Sequence, residues 1–182
     1  MHEGKPFDSC DWIFELKFDG FRVLMYIEKD VKIISRNGRD ITGDYPELQK
    51  ITTASCVLDG EIIALTDGRP DFNKLMRKDG FIQFVAFDIL SLDGKDLTKL
   101  PLVQRKEILA GTVTETDRVV LSRYIEANGI ALFHEACVQN LEGVVAKRKN
   151  SLYFPGKRTR DWLKIKCLPH GEYMKSGRGS LT

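Results

Sequence analysis

Short apolar runs separated by polar turns dominate the chain. Runs of this length, rich in β-branched and aromatic residues, are typical of strands. The polar turn Glu28-Lys29-Asp30 between two of these runs indicates a hairpin. We therefore predict strands at residues 12–17, 21–27, 31–35, 56–65, 81–90, 119–121, 142–147 and 162–165.

Four other segments have helical features. Pro46 follows Asp44 as in the first turn of an N-capped helix at 44–48, and Pro101 begins a helix that extends to 110. Segments 71–77 and 129–141 have apolar residues at helical spacing. Many strands with few, segregated helices predict an α+β fold of antiparallel sheets. A P-loop or Rossmann nucleotide site is excluded at motif level, because neither glycine motif occurs.

Composition adds limits but no function. With 182 residues, 42% of them hydrophobic and 30% charged, the chain is expected to form one globular domain. It contains no apolar run of bilayer length and no signal-peptide pattern, so we expect a cytoplasmic protein. The net charge of +2 does not identify a nucleic-acid binder, although basic residues cluster near the C-terminus. That cluster comprises Lys147, Arg148, Lys149, Lys157, Arg158, Arg160, Lys164 and Lys166.

The four cysteines do not form a metal-binding pattern. Cys10, Cys56, Cys137 and Cys167 lack a CxxC pair and have no histidine at ligand spacing, which argues against structural zinc. Cys56 and Cys137 lie in apolar stretches. We predict that both are small buried hydrophobic residues in a reducing compartment.

The most informative segment is Glu15-Leu16-Lys17-Phe18-Asp19-Gly20-Phe21-Arg22. It places a lysine between two carboxylates, with a glycine turn and an arginine following. Alone, the pattern is weak, and a surface hairpin that carries ion pairs explains it better.

Five further motifs follow this segment. They are Ser35-Arg36-Asn37-Gly38, Asp59-Gly60-Glu61, Phe87-Asp88, Glu142-Gly143-Val144-Val145-Ala146-Lys147 and Trp162-Leu163-Lys164-Ile165-Lys166. In this order and spacing, the set resembles the covalent nucleotidyltransferases, the superfamily of ATP-dependent ligases and mRNA capping enzymes. The residues at 45–48, 71–72 and 153–157 resemble more narrowly the bacterial and archaeal DNA ligases of the end-joining type. The resemblance covers roughly Pro6 to Cys167.

The resemblance implies a domain organisation. Residues 1–167 would form a nucleotidyltransferase (adenylation) domain with an ATP-grasp-like fold of antiparallel sheets flanked by helices. Residues 168–182 would be a linker or tail where an OB-fold domain normally begins. Because the tail is too short for an OB fold, we expect slow self-adenylation and weak nick binding.

The resemblance also implies a nucleophile. Lys17 would attack the α-phosphorus of ATP and form lysyl-AMP, which requires a neutral amine. Lys164 and Lys166 lie two residues apart on a predicted strand, so both side chains leave one face and can reach the α-phosphate. Their charges would also disfavour the ammonium form of Lys17. Two lysines on a solvated strand face are the alternative.

Further residues would hold the nucleotide. Glu15 would accept a hydrogen bond from the adenine 6-amino group, which favours ATP over GTP, and Leu16 would line the same site. Phe87 would stack on the adenine, although an ordinary core phenylalanine is an alternative. Arg22 and Arg36 would contact the ribose or the 5′-phosphate of a nicked strand.

Glu61 and Glu142 would bind Mg²⁺, with Mn²⁺ as an alternative, and Glu61 would also contact the ribose. Asp19, Asp59 and Lys147 would position these residues without contacting the nucleotide directly. For Asp59, a structural salt bridge is equally compatible. His134 has no consistent role.

The implied reaction moves AMP from ATP to Lys17, then to the 5′-phosphate of nicked double-stranded DNA, after which the 3′-hydroxyl displaces AMP. Expected partners are this DNA, an OB-fold domain and an end-binding protein. We expect the protein to be a monomer associated with the nucleoid. Two alternatives remain open. One is an RNA ligase or capping-type nucleotidyltransferase, and the other is a non-catalytic module that binds nucleic-acid ends.

Overall fold

The computed structural model describes residues 1–49 and 54–167. The predicted tail at 168–182 lies outside these residues. The strands of the described part are β1 (His2–Glu3), β2 (Ser9–Leu16), β3 (Phe21–Ile27), β4 (Val31–Ser35), β5 (Cys56–Thr66), β6 (Arg69–Pro70), β7 (Phe81–Leu92), β8 (Lys95–Asp96), β9 (Val119–Leu121), β10 (Tyr124–Ala127), β11 (Gly143–Arg148) and β12 (Trp162–Lys166). The α-helices are α1 (Phe72–Met76), α2 (Leu102–Thr112) and α3 (Gly129–Val138).

The strands form two sheets. The first sheet has the order β1-β12-β11-β2-β10, and the second has the order β4-β3-β5-β7-β8, with β6 paired to β5 and β9 to β7. Among the described strands, only the pairs β1–β12 and β7–β9 are parallel. The predicted α+β fold of antiparallel sheets is confirmed.

Each sheet has its own hydrophobic core. In the second sheet, Leu58, Ile62 and Phe84 are fully buried and pack with residues of α1 and α2. In the first sheet, Phe14 packs with Phe133 of α3. Helices therefore cover the sheets, and the described part has no helix long and apolar enough to cross a membrane.

The Asp59-Gly60-Glu61 motif lies within β5, and its glycine has a structural explanation. The pairing of β5 with β7 shifts register between Asp59 and Gly60. A Cβ on Gly60 would lie 2.3 Å from the ring of Phe84 and 2.6 Å from the carbonyl oxygen of Val85. The close approach of β7 therefore requires glycine at this position.

Local chain geometry differs from the predictions in places. Segment 44–48 contains the 3₁₀ turn Pro46–Leu48, preceded by another at Thr42–Asp44, and neither has a side-chain cap. Asp44 instead lies 2.6 Å from Lys78 Nζ. Helix α3 ends at Val138 rather than at 141. Strand β10 was not predicted, because its mostly exposed residues do not alternate between polar and apolar.

The prediction for the cysteines is half right. Cys56 is buried and has a free thiol. The prediction for Cys137 is wrong, because this residue forms a disulfide with Cys167, with the two Cα atoms 5.4 Å apart. The two cysteines meet because α3 packs on the first sheet beside the end of β12. A sequence separation of 30 residues gives no local signal of that proximity.

We expect the Cys137–Cys167 disulfide to stabilise the domain. Closing a loop with a sequence separation of 30 residues reduces the entropy of the unfolded chain, which corresponds to about 3–4 kcal/mol in the chain-entropy model. Urea unfolding of the oxidised protein and of a Cys137→Ser/Cys167→Ser variant measures this difference. Cys10→Ser, at an exposed free cysteine, is the matched control. Equal free energies of unfolding in the double variant and the oxidised wild type would contradict the expectation.

Candidate active site

A pocket lies between facing residues of the two sheets. The first sheet contributes residues from β2, β11 and β12, and the second contributes residues from β3, β5 and β7. Strand periodicity explains this arrangement, because residues two apart leave the same face. The lining residues are Met1, Glu15, Leu16, Lys17, Phe18, Arg22, Glu61, Phe87, Ser122, Val145, Lys147 and Trp162.

Lys17 follows the end of β2 and points at Glu142. Its Nζ atom lies 2.6 Å from Glu142 Oε2, while Lys166 Nζ lies 3.1 Å from Oε1 of the same carboxylate. The backbone nitrogen of Lys17 donates to the carbonyl oxygen of Gly143 at 2.9 Å. Gly143 has a φ of +138°, and a Cβ there would lie 2.1 Å from the carbonyl oxygen of Ile165. This glycine lets β11 approach β12 and thus brings Glu142 to both lysines.

Glu15 is the centre of a buried charge cluster. Its Oε1 atom lies 2.6 Å from Lys106 Nζ, and its Oε2 atom accepts hydrogen bonds from Ser122 Oγ at 2.6 Å and Lys147 Nζ at 3.0 Å. Burial opposes the charged form of Glu15, but Lys147 and Lys106 hold the pKa of its carboxyl below the usual value. Burial lowers the pKa of Lys147 to about 8.

Two aromatic rings, one from each sheet, line the pocket. Phe87 and Trp162 meet edge to face, with ring centroids 5.9 Å apart. Lys147 Nζ lies 4.3 Å from the Phe87 centroid and 4.2 Å from the Trp162 centroid. Lys147 and Trp162 are direct neighbours across β11 and β12. The ammonium group is therefore held by a carboxylate and two aromatic faces.

Arg22 and Asp59 form a bidentate ion pair on the opposite sheet. Nε and Nη2 of Arg22 donate to the two oxygens of Asp59 at 2.9 and 2.6 Å. Burial opposes the charge on Arg22, but Asp59 raises the pKa of the guanidinium above its usual value. Of the two alternatives for Asp59, the structure contains the salt bridge. Its partner is a residue that lines the pocket.

Glu61 differs from the other carboxylates of the pocket. Within residues 1–49 and 54–167, it has neither a side-chain hydrogen bond nor an ion pair. Burial raises the pKa of Glu61 to about 7, against the opposing effects of Lys17 and Arg22. Asp59 and Glu142 add to the increase. A cation bound beside this carboxyl would stabilise its charged form.

The described residues contain no group of three histidine, cysteine or acidic side chains able to hold a metal ion. Glu61 instead lines the pocket, and Glu142 lies beside it, 2.6 Å from the pocket residue Lys17. Mg²⁺ usually keeps several waters and binds one or two carboxylates together with substrate phosphates. This donor set therefore fits magnesium bound with a nucleotide, rather than a metal site made by the protein alone.

Sequence comparison identifies the family. Residues 4–166 match the family model described as ATP dependent DNA ligase domain. The chain belongs to this family. It is 34% identical over 182 residues to the SPbeta prophage-derived DNA ligase-like protein LigB of Bacillus subtilis, an alignment that covers 95% of this chain and 67% of that protein.

Two further matches point to end-joining ligases. This ligase domain is 34% identical over 166 residues to the multifunctional non-homologous end joining DNA repair protein LigD of Mycobacterium tuberculosis, covering 87% of this chain and 22% of that protein. A solved structure of mycobacterial DNA ligase D complexed with ATP and MES superposes with a TM-score of 0.79 and 31% identity. That match covers 91% of this chain and 58% of the other. The predicted covalent nucleotidyltransferase fold is confirmed.

Most predicted site residues of the ligase domain meet at this pocket, but their contacts vary. Lys164 and Lys166 share a strand face, as predicted, yet Lys164 Nζ lies 3.0 Å from Glu3 Oε1 rather than beside Glu142. Arg36 is exposed just after β4 and does not line the pocket. Asp19 is also exposed as a residue, but its carboxyl is partly desolvated, and this desolvation together with the charge of Glu142 raises its pKa.

Sequence reasoning assigned no role to several side chains of the site. Lys106 and Ser122 bind Glu15 from outside every motif, so no local pattern marked them. Tyr153 and Trp162 were part of the family resemblance, but only the structure places Trp162 in the pocket wall and Tyr153 on Asp59. The buried ion pair of Asp88 with Arg105, at 2.9 Å, was also not predicted.

We expect the stability of the domain to report the titration of Glu61. Because burial raises its pKa to about 7 from a usual value of 4.5, the folded state binds the proton more tightly than the unfolded state. Its contribution to the free energy of unfolding therefore falls as pH rises from about 4.5 to about 7. Urea unfolding of wild type and Glu61→Gln from pH 5 to 8 measures this, and the variant should gain relative stability with pH. A constant difference would contradict the expectation.

Proposed function

We propose that this domain is the adenylating core of an ATP-dependent DNA ligase that takes AMP onto Lys17 and passes it to the 5′-phosphate of a DNA nick. The main support is the position of Lys17, which lies 2.6 Å from Glu142 in a pocket that also contains Glu61 and Phe87. A lysine nucleophile, carboxylates for a metal and an aromatic ring for a base occur together. Family membership adds support from an independent direction.

The first step forms a bond between Lys17 Nζ and the α-phosphorus of ATP and breaks the bond to pyrophosphate. The attacking nitrogen needs a free lone pair, so the ammonium group must first lose a proton to solvent and its ion pair with Glu142 must open. Lys166 lies 3.1 Å from the other oxygen of Glu142 and can compensate the carboxylate when Lys17 leaves it. Lys164 and Lys166 then face the phosphates. Positioning and charge neutralisation dominate such phosphoryl-transfer chemistry.

Glu61 and Glu142 would hold Mg²⁺, or Mn²⁺ in its place, which neutralises phosphate charge when bound. Because the pKa of Glu61 is about 7, cation binding near neutral pH would release a proton from a fraction of the molecules. Asp19 is near Glu142 and Lys17, since both affect its titration. We assign it to positioning the loop after Lys17.

The base would lie against Phe87, with Leu16 and Val145 also lining the pocket. Glu15 already accepts from Ser122 and Lys147, but an ionised carboxylate has about four acceptor sites and can take a further adenine N–H. Lys147 supports Glu15 in this role. A carboxylate there would repel the carbonyl group of guanine, so we propose ATP rather than GTP.

Arg22 and Arg36 would contact the ribose or the 5′-phosphate of the nicked strand, because guanidinium groups suit ribose and phosphate oxygens. The domain spans 22% of an end-joining relative and 58% of the chain of a matched ligase structure. We therefore propose that an OB-fold domain and an end-binding protein assist the parent enzyme in end-joining repair. A monomer in the bacterial or archaeal cytoplasm, near the nucleoid, fits this role.

We expect wild type to gain one AMP adduct after incubation with ATP and Mg²⁺, and to lose it on addition of pyrophosphate. Lys17→Ala should remain unmodified because the nucleophile is missing. Intact-mass spectrometry measures both proteins. Lys29→Ala, at an exposed lysine in the turn after β3, is the matched control and should charge like wild type.

An adduct that persists in Lys17→Ala would exclude this nucleophile. Charging by GTP as fast as by ATP would favour a capping-type nucleotidyltransferase instead. If ATP binds but no adduct forms on wild type, either charging requires an OB-fold domain or the domain is a non-catalytic module that binds nucleic-acid ends. Sealing of a pre-adenylated nick would then distinguish the two.

We expect the charged domain to transfer AMP to nicked DNA that carries a 5′-phosphate. The same nick without the phosphate should accept none, because the acceptor oxygen is absent. Gel analysis of labelled DNA measures the adenylated strand and the sealed product. Faster transfer to an otherwise identical nicked RNA would favour the RNA ligase alternative.

A further inference from the structure

Tyr153 links the two walls of the pocket. Its ring contacts Trp162 of β12 in the first sheet, with centroids 6.2 Å apart. Its hydroxyl donates to Asp59 Oδ2 of β5 in the second sheet at 2.8 Å. Its backbone nitrogen donates to the carbonyl oxygen of Thr98 at 2.9 Å, which fixes the backbone from which the side chain extends. One residue of the loop after β11 therefore contacts both sheets.

The hydroxyl of Tyr153 completes a closed set of hydrogen bonds. Nη2 of Arg22 lies 3.5 Å from this hydroxyl, and Nε and Nη2 also donate to the fully buried carboxylate of Asp59. Burial and the neighbouring Asp59 raise the pKa of Tyr153, so its hydroxyl keeps its proton and remains a donor. The carboxylate has a donor on each oxygen, and Nη2 has two acceptors.

Nη1 of Arg22 remains available to a ligand. It makes no hydrogen bond to residues 1–49 or 54–167, and the Arg22 side chain is about one-third exposed and lines the pocket. A guanidinium group is planar, so fixing Nε and Nη2 also fixes the direction of the N–H groups on Nη1. Their direction matters if they donate to a nucleotide oxygen.

We propose that Tyr153 is a positioning residue, whose hydroxyl holds the guanidinium plane of Arg22 so that Nη1 donates to ATP in the pocket. This inference rests on the proposed adenylation of Lys17. The alternative is that Tyr153 only packs, since its ring also lies 5.9 Å from the guanidinium carbon of Arg105. Tyr153→Phe separates the two roles, because it keeps the ring and removes only the hydroxyl.

We expect Tyr153→Phe to charge Lys17 about three- to tenfold more slowly than wild type at subsaturating ATP, as expected for one misplaced hydrogen bond. Intact-mass time courses over a series of ATP concentrations give kcat/KM for charging. Tyr26→Phe, at an exposed tyrosine on the same strand as Arg22, is the matched control and should charge like wild type. Equal kcat/KM for Tyr153→Phe and wild type would overturn the proposal.

The double variant Arg22→Lys/Tyr153→Phe distinguishes positioning from packing. Lysine can keep a positive charge beside Asp59, but it has no guanidinium plane to orient. If Tyr153 acts through Arg22, adding Tyr153→Phe to Arg22→Lys should change kcat/KM by less than twofold. If the losses of the two single variants multiply, the hydroxyl does not act through Arg22 and the proposal fails.

Failure of the proposed function would be recognised separately. Wild type would then take no AMP, whatever the variants do. Calorimetric ATP affinities of wild type, Tyr153→Phe, Arg22→Lys and the double variant still test Tyr153. Each single variant should bind ATP more weakly than wild type, and the double variant should bind ATP no more weakly than Arg22→Lys. Multiplicative losses of affinity would again overturn the inference.

Discussion

Two consecutive residues of α2 join the walls of the pocket. Arg105 forms a fully buried ion pair with Asp88 of β7 in the second sheet, and Lys106 lies 2.6 Å from Glu15 of β2 in the first sheet. Removing one partner of a buried ion pair costs about 3–5 kcal/mol, because the remaining charge has no compensation. The position of α2, and with it the spacing of the two sheets, therefore depends on satisfying these carboxylates.

The same constraint orders the interior of the pocket. Arg105 also donates to the carbonyl oxygens of Leu100 and Ser151, which holds the loop that presents Tyr153. Tyr153 in turn reaches Asp59 and Arg22. Ion pairs and hydrogen bonds thus extend from a helix outside the motifs to an arginine that faces the proposed substrate. Such a network orients side chains more rigidly than apolar packing, since each donor has a fixed direction.

The sequence indicated which residues would carry the chemistry of the site better than it indicated the residues that hold them in place. Strand periodicity correctly placed Lys164 and Lys166 on one face, and the six motifs indicated the fold. Their partners depend on tertiary packing, which leaves no local pattern. Lys106 looks like an ordinary helix surface residue until α2 lies against Glu15. For the same reason, the contact of Cys137 with Cys167 could not be read from their spacing.

Glu61 is the exception that connects the network to function. Glu15, Asp59, Asp88 and Glu142 each have a cationic partner within the described residues. Glu61 has none, and its raised pKa shows that the fold does not compensate its charge. Leaving a half-buried carboxylate unpaired lowers stability, so a fold optimised for stability alone would not favour it. We propose that a cation bound beside Glu61 offsets this cost. The nearby Lys17 and Glu142 would place that cation at the proposed site of bond formation.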